Sequence, residues 1–292
     1  MAKSIVYFTR STDKEAPLRL LEALGKKLDG KVLAKVHSGE KGNQNFLPPD
    51  FWLPIIQKTN ATVGECNTAY PGARNTSKKH LRLLKEHGWI NPDFPFDLLD
   101  EEGPDDVLPI GKEGHLGVDY VGKNLKNYDS ILVLSHFKGH PMGGYGGALK
   151  QLSIGFASSY GKAHIHAAGN KDHSNIWATD HDSFLESMAE AAYCVAKKYE
   201  GHAIYLNAMM NMSVDCDCCA EAEDPCMKDI GILISLDPVA IDRACIDLVK
   251  ASKDPGKEHF LERVSSRNGE HTIEEAVHLG VGSEDYELIC ID

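Results

Sequence analysis

Four cysteines fall within eleven consecutive positions of the chain: Cys216, Cys218, Cys219 and Cys226. Thiolates are good ligands for zinc, copper(I) and Fe–S clusters, and clustered thiols in a reducing compartment are more often ligands than disulfides. The Cys-x-Cys spacing of Cys216 and Cys218 is tighter than the Cys-x-x-Cys of zinc knuckles and bacterial ferredoxins, so it does not identify the metal. The segment predicts a metal ion or an Fe–S cluster, with iron and zinc favoured; a disulfide and an idle acidic loop are the alternatives.

Two thiols do not close a tetrahedral metal site, so further ligands are needed. Cys219 and Cys226 are close in sequence and can complete a closed, thiolate-only site. His166 is the alternative third ligand, because Ala163–Ala167 is predicted as a strand on which His164 and His166 share one face. A site completed by His166 would keep an open position and would therefore be catalytic.

A glycine-rich segment, Ser135–Lys150, directly follows a predicted buried strand. Ligands of open α/β sheets bind at the carboxyl ends of strands, and glycines let the backbone approach a ligand closely. The spacing fits neither a Walker nor a dinucleotide motif, and a plain turn with solvated charges is the alternative. We expect catalytic residues here, with histidines that move protons or bind metal and lysines that hold an anion: His136, Lys138, His140 and Lys150. The glycines expected to contact the substrate are Gly146 and Gly147.

A weaker group of cationic and polar side chains follows other predicted strands. Lys35 and His37 end the second strand, while Arg74 follows Cys66 and leads to His80. Together they offer positive charge and hydrogen-bond donors suited to a carboxylate or phosphate. They are expected to bind the substrate, although solvation at the surface is an equal alternative for Arg74 and His80.

Alternating strands and helices must position these residues. Short apolar runs predict buried strands, and amphipathic stretches predict helices. The predicted strands are Ser4–Phe8, Lys31–Val36, Ser130–Leu134, Ala163–Ala167, Ala203–Asn207 and Ile230–Ser235. The predicted helices are Lys14–Leu28, Thr76–His87, Phe184–Lys198, Pro238–Ala251 and Thr272–Leu279. This alternation predicts an α/β fold with a largely parallel or mixed sheet and helices on both faces.

Two stretches lack clear periodicity, Gly39–Trp52 and Asp93–Glu113. Long loops of this kind are usually functional or mobile. We expect residues 1–292 to form a single α/β domain, with residues 39–52 and 93–113 as a smaller loop-rich lobe or insert.

Composition narrows the partners. The chain has 292 residues, 42% of them hydrophobic, and a formal net charge of −12. Phosphate backbones require a basic surface, so nucleic acid is not expected as a partner. No apolar run reaches the length of a membrane span, and no targeting segment is visible, so a cytoplasmic location without membrane contact is expected. A small anionic ligand is expected in a local basic pocket, and a homodimer stays open.

Several ordered segments resemble the family catalogued as domain of unknown function 362, often labelled an Fe–S centre protein. The segments that carry the resemblance are Val36-His37, Asn67–Arg74, Phe137–His140, Gly146–Lys150, Leu185–Ala191, Cys216–Cys218, Asp229–Leu233 and Asp237–Asp242. Many members of that family carry a ferredoxin-like insert after a His-x-His segment. Here Asn170–Asp182 contains no cysteine, so the resemblance implies a short form in which the two-cluster Fe–S label does not carry over. Gly144–Lys150 is also similar to a turn of the nickel-pincer lactate racemase group, which favours an active site at this turn.

Two functions remain at this point. The first is a metal- or Fe–S-dependent enzyme that acts on a small anionic substrate or cofactor, with the reaction left open. The second is a non-catalytic metal or Fe–S carrier that uses the cysteines alone. The glycine-rich turn favours the enzyme, because a carrier has no use for two lysines and two histidines that converge on it.

Overall fold

The computed structural model describes residues 3–103 and 105–292, and its centre is an eight-stranded sheet. The strands are β1 (Ser4–Thr9), β2 (Val32–Lys35), β3 (Thr62–Glu65), β4 (Phe96–Leu98), β5 (Asp106–Pro109), β6 (Val118–Val121), β7 (Ser130–His136), β8 (Lys138–His140), β9 (Gly144–Gly146), β10 (Ala203–Met209), β11 (Gly231–Ser235) and β12 (Tyr286–Cys290). The sheet has the order β12-β1-β11-β10-β7-β2-β3-β4, while β5 pairs with β6 and β8 pairs with β9.

Only β11 runs against its neighbours in this sheet; it is antiparallel to both β1 and β10. The other neighbouring pairs are parallel, so the carboxyl ends of β2, β3, β7 and β10 lie at one edge. Every residue of β7 and β10 is buried, as expected for central strands covered on both faces. The predicted α/β fold with a largely parallel sheet is confirmed.

The helices cover both faces of the sheet. They are α1 (Ala16–Leu24), α2 (Pro49–Lys58), α3 (Ser77–Glu86), α4 (Ala148–Lys150), α5 (Ser159–His166), α6 (His181–Lys198), α7 (Pro238–Ala251), α8 (Lys257–Ser266) and α9 (His271–His278). Alternate residues of β7 point to opposite faces. Leu132 and Leu134 join the core under α1 and α2, whereas Ile131 and Val133 join the core under α6 and α7.

The strand predicted over Ala163–Ala167 is wrong, because these residues end the helix α5. The side chain of Ser158 caps this helix by accepting a hydrogen bond from Gly161 N at 3.0 Å. His164 and His166 therefore point about 200° apart around the helix axis and do not share a face. A short apolar run with His at every second position fits a strand and a buried helix equally well, and the serine cap decided between them.

The two stretches predicted as loops contain some regular structure. Residues 39–52 form a loop that enters α2 at Pro49. Residues 93–113 contain β4, which forms one edge of the main sheet, and β5, which pairs with β6. The sequence did not predict these strands because three or four residues carry too little periodicity to stand out.

None of the helices in the two described ranges combines the length and the apolar character needed to cross a membrane.

Candidate metal and anion site

Chemically active side chains meet at the edge where the parallel strands end. Lys35, Glu65 and His136 are the last residues of β2, β3 and β7. The chain that leaves β10 returns to the same edge and brings Cys216 and Asp217 there, since Asp217 lies beside His136. The edge of carboxyl ends is where open α/β sheets bind their ligands, so this is the candidate site.

A histidine and two cysteines form a possible metal site at this edge. His140 Nε or Nδ, Cys216 Sγ and Cys218 Sγ offer ligand atoms that all lie within 4.8 Å of one another. His140 ends β8, and its Nε2 is 3.9 Å from Cys218 Sγ. The two cysteines belong to a tight turn closed by a hydrogen bond of 2.9 Å from Cys219 N to Cys216 O. Two thiols and an imidazole are ligands suited to zinc, iron or copper(I).

The surroundings of Cys216 favour its thiolate form. Burial opposes ionisation, but the hydrogen bond from Cys218 and the positive charge of Lys150 outweigh it and hold the pKa of Cys216 well below its usual value. Lys150 Nζ lies 3.7 Å from Cys216 Sγ. Hydrogen bonds to the side chains of Cys216 and Cys219, together with burial, raise the pKa of Cys218 well above its usual value. The pair therefore holds one thiolate and one thiol.

The tautomer of His140 follows from its hydrogen bonds. Its Nδ1 accepts from the backbone N–H groups of Met142 at 3.1 Å and Gly143 at 2.7 Å. Burial, and after it the charge of Lys150, lower the pKa of His140 to about 4, so the ring is neutral at pH 7. Nε2 then carries the ring proton and points toward Cys218.

The loop from Gly39 to Leu47 holds the cysteine turn in place. Asn43 donates from its side-chain amide to the carbonyls of Cys216 at 3.4 Å and Cys219 at 2.9 Å. The backbone N–H of Glu40 donates to the carbonyl of Asp217 at 2.8 Å. The backbone of the cysteine turn is thus held by hydrogen bonds from a segment far away in the sequence.

Asp217 sits between His136 and Lys138. His136 Nδ1 lies 2.9 Å from Asp217 Oδ1, and Lys138 Nζ lies 3.1 Å from Asp217 Oδ2. Burial raises the pKa of the Asp217 carboxyl, but His136 and Lys138 outweigh burial and lower it below its usual range. His136 Nε2 also contacts the carbonyl of Met210 at 2.6 Å, so both ring nitrogens face acceptors. His136 and Lys138 are therefore bound to the protein itself.

The residues predicted to bind an anion lie in a second network of buried charges. Lys35 Nζ is 2.6 Å from Glu65 Oε1, and Arg74 Nε is 3.1 Å from Glu40 Oε2. Arg74 Nη1 approaches His37 Nε2 at 3.4 Å. Within residues 3–103 and 105–292, Arg74 Nη2 is buried without a hydrogen-bond partner. Arg74 Nη2 is therefore a hydrogen-bond donor that is available to a ligand.

Lys150 has no carboxylate partner in the part of the chain that is described, and its Nζ lies beside Cys216 Sγ. Burial lowers its pKa, but the negative charges of Cys216 and Cys218 outweigh burial and raise it. A Cβ at Gly146 would lie 3.3 Å from Lys150 Cδ and 3.7 Å from Lys138 Cε, so this glycine leaves space beside both lysines.

Gly147 has a structural reason to be glycine. A Cβ there would lie 2.4 Å from Asp242 Oδ1. That carboxylate accepts from the N–H groups of Ala148 at 2.7 Å and Leu149 at 3.0 Å, which begin α4. The N–H groups of Ala148 and Leu149 are therefore not available to a ligand. A π-helical turn, Gln151–Gly155, follows α4 directly, and such turns are frequent at functional sites.

Three predicted metal ligands lie outside the group of His140, Cys216 and Cys218. Cys219 adjoins Cys218 in the turn, where a hydrogen bond between the two side chains lowers the pKa of Cys219. Cys226 donates from its thiol to the carbonyl of Met212 at 3.3 Å. His166 donates from Nδ1 to the carbonyl of Lys162 at 2.7 Å, which leaves its Nε2 as an acceptor. Their roles as ligands stay predictions.

His80 is fully buried and bound on both sides. Its Nδ1 lies 3.1 Å from Asn67 Oδ1, and its Nε2 lies 3.3 Å from Ser38 Oγ. Burial lowers the pKa of His80 to about 3. Both nitrogens are satisfied within the protein, so the geometry favours a structural role over the predicted contact with substrate.

The neutral His80 ring should make the fold sensitive to acid. Its pKa is lowered on folding, so the unfolded chain binds a proton that the folded chain does not, and stability falls as the pH drops below about 6.5. We expect this residue to remove about 2 kcal/mol of stability between pH 7 and pH 5. Urea unfolding of the wild type and His80→Gln at both pH values measures it. The pH-dependent loss should shrink in His80→Gln and stay unchanged in His259→Gln, whose ring is exposed.

Sequence reasoning did not select Tyr70 or Trp177. Their ring centroids are 5.6 Å apart, and each packs on His166, at 6.0 Å and 5.5 Å. Burial, and then the charge of Cys218, raise the pKa of Tyr70 well above its usual value, so its hydroxyl stays a donor. Trp177 is 55% exposed, and its place after a polar loop gave no periodic signal. Tyr70 could have been selected, since it lies within the Asn67–Arg74 segment.

Comparisons with known proteins place this geometry in context. The sequence profile described as "Domain of unknown function (DUF362)" matches residues 32–247. The lactate racemase apoprotein from Thermoanaerobacterium thermosaccharolyticum is 17% identical with a TM-score of 0.45, over 71% of this chain and 51% of that one. A crystal structure of a Thermotoga maritima protein is 14% identical with a TM-score of 0.44, over 91% of this chain and 58% of that one. The chain thus spans about half the length of these two proteins. No curated protein matches it in sequence.

Proposed function

The chain belongs to the DUF362 family, as its motifs predicted, and from that premise we propose that it is a metal-dependent enzyme acting on a small anionic substrate. The observation that carries the proposal is the position of Lys150, whose ammonium lies 3.7 Å from Cys216 Sγ in the group of His140, Cys216 and Cys218. A metal ion at this group and the neighbouring Lys150 ammonium could each bind one oxygen of the same anion.

The side chains present fit a single metal ion better than an Fe–S cluster. Three ligand atoms within 4.8 Å leave a fourth position open, which is typical of a catalytic site. A cluster commonly takes four protein ligands. Binding at this site would require loss of the Cys218 proton. His140 would bind through Nε2 as a neutral imidazole, with its ring proton moved to Nδ1 and the hydrogen bonds from Met142 and Gly143 given up. When bound, the metal would supply a Lewis acid to a substrate oxygen.

Lys150 and Arg74 are the side chains that would hold the anion. Arg74 Nη2 has no hydrogen-bond partner in the described residues, and Lys150 has no carboxylate partner there. The positive charge of Arg74 acts to lower the pKa of Lys150. Tyr70, whose hydroxyl is a hydrogen-bond donor, lies near Arg74 and Cys218. Lys35 and Lys138 are already paired with Glu65 and Asp217, so they would set the electrostatic potential and not contact the substrate.

His166 is the candidate proton acceptor. Its Nδ1–H is bound to the Lys162 carbonyl, so its Nε2 is unprotonated. Burial first, and the charge of Lys150 further, lower its pKa to about 4, so the ring is neutral at pH 7. Tyr70 and Trp177 cover the ring and would limit the access of water.

Anion binding tests the enzyme against the carrier. Calorimetry with inorganic phosphate as the probe should show binding to the metal-loaded protein, weakened about tenfold or more in Lys150→Met, because a hydrogen bond to a charged group contributes about 1.5–3 kcal/mol. Lys228→Met, at an exposed position, is the matched control and should bind like the wild type. A protein that holds metal but binds phosphate equally with and without Lys150 would instead be a carrier.

A further inference from the structure

Two histidines outside the cysteine site have nitrogens that the fold leaves unused. The rings of His164, on α5, and His173, in the following loop, have centroids 5.9 Å apart. His164 is 6% exposed. His164 Nδ1 and His173 Nε2 are both shielded from solvent and have no hydrogen-bond partner among residues 3–103 and 105–292. Buried polar atoms without partners are rare in folded proteins and require an explanation.

The hydrogen bond on the other side of His164 fixes its tautomer. His164 Nε2 lies 3.2 Å from the carbonyl oxygen of Leu116, which can only accept. The ring proton is therefore on Nε2, and Nδ1 carries a bare lone pair. Burial, assisted by the neighbouring His173, lowers the pKa of His164 against the opposing effect of the Leu116 bond, so the ring is neutral at pH 7. Metal-binding histidines almost always donate their second N–H to a carbonyl or carboxylate in this way.

The separation and the surroundings suit a shared ligand. Two imidazoles bound at about 2.1 Å to one tetrahedral metal have ring centroids roughly 5–6 Å apart. Tyr120 packs edge-on against His164 at 5.2 Å, and Tyr160 packs on His173 at 4.9 Å. These rings limit the solvent that can reach the two free nitrogens. A direct N–H···N bond between the histidines is absent from the described residues.

We infer that His164 Nδ1 and His173 Nε2 form a second metal site, for a divalent ion of the zinc, nickel or copper type. Imidazole nitrogen suits these ions, whereas magnesium and calcium prefer oxygen. Two protein ligands leave the remaining positions to water or a small ligand. Trp177 lies four residues after His173 and packs on His166, so occupation of this site would also hold the loop that packs on His166.

Zinc titration separates this site from the first. In the Cys216→Ser, Cys218→Ser protein, calorimetry at pH 7.5 with Zn²⁺ as the probe should still show one bound ion per chain. His173→Asn in that background should weaken the binding at least about tenfold, as loss of a supporting group alone costs about 10–100-fold. His202→Asn, at an exposed histidine, is the matched control and should leave it unchanged.

Either of two results would overturn the inference. Absence of Zn²⁺ binding in the cysteine variant means that the two histidines do not form a metal site. Equal binding with and without His173 means that the ion sits elsewhere. His173 lies in a loop outside regular secondary structure, so its replacement should not disturb the fold, and a circular dichroism melt checks this. The wild type provides a second measurement, with two ions expected and one in His173→Asn.

Discussion

Replacement of both Cys216 and Cys218 by serine is expected to weaken metal binding at the candidate site at least about a hundredfold, since loss of a group that only supports a ligand already costs about 10–100-fold. Cys216 is the ligand that is ionised before the metal arrives, because Lys150 and the Cys218 hydrogen bond stabilise its thiolate. Serine keeps the size of the side chain but ionises far less readily. Chelator competition with protein purified without oxygen, in the His173→Asn background, measures the affinity.

Single variants distinguish the ligands in this group. His140→Ala should lower the affinity, whereas Cys226→Ser should not, because its thiol is bound to Met212 and lies outside the group of three. A loss in Cys226→Ser comparable to that in the double variant would favour the closed, thiolate-only site. Metal affinity equal to the wild type in the double variant would refute the site altogether. The colour of the oxygen-free protein adds a check, because a brown preparation indicates an Fe–S cluster.

Replacement of Asp217 by asparagine should destabilise the metal-free protein by about 3–5 kcal/mol, the usual cost when one partner of a buried ion pair is removed. The carboxylate is 1% exposed and lies 3.1 Å from Lys138 Nζ and 2.9 Å from His136 Nδ1. Asparagine keeps the shape and one acceptor oxygen but leaves the buried Lys138 ammonium without a counter-charge. Urea unfolding at pH 7 measures the difference.

The pH dependence of that difference provides its control. Folding lowers the pKa of Asp217, so its stabilisation is complete above the unfolded value near 4 and is lost as the pH falls below it. The gap between the wild type and Asp217→Asn should therefore narrow at low pH. Glu86→Gln removes a carboxylate from an exposed pair with Arg82 and should change stability little. A similar small effect for Asp217→Asn would mean that water reaches its partners.

The fold could be predicted from the sequence because its central elements carry strong local patterns. The predicted strand over Ser130–Leu134 is two residues shorter than β7, and the predicted helix from Phe184 to Lys198 begins three residues inside α6. Continuous apolar runs and a helical stripe are signals that survive without knowledge of the partners. The convergence of strand ends followed from the parallel sheet, so the general place of the site was predictable too.

The partners within the site could not be predicted, because they depend on distant contacts. His136 and Asp217 are 81 positions apart, and Lys35 and Glu65 are 30 apart. A sequence alone does not tell which lysine a carboxylate neutralises, so Lys138 and Lys150 looked equivalent although only Lys138 is paired. The assignment of His166 to a strand failed for a different reason, since the apolar run fits a strand and a helix equally well and only one local contact, the helix cap at Ser158, decides between them.

The loop that holds the cysteine turn also has a consequence for the order of folding. Asn43 and Glu40 fix the turn at Cys216–Cys219 across more than 170 positions of chain, and the third ligand, His140, comes from yet another segment. Contacts so remote in sequence form late, after the sheet that joins them. Unlike a zinc finger, whose ligands are neighbours and whose metal drives local folding, this chain would present its complete ligand set only as a finished molecule. Metal binding would then follow synthesis and folding, at a rate set by the supply of metal and not by the rate of translation.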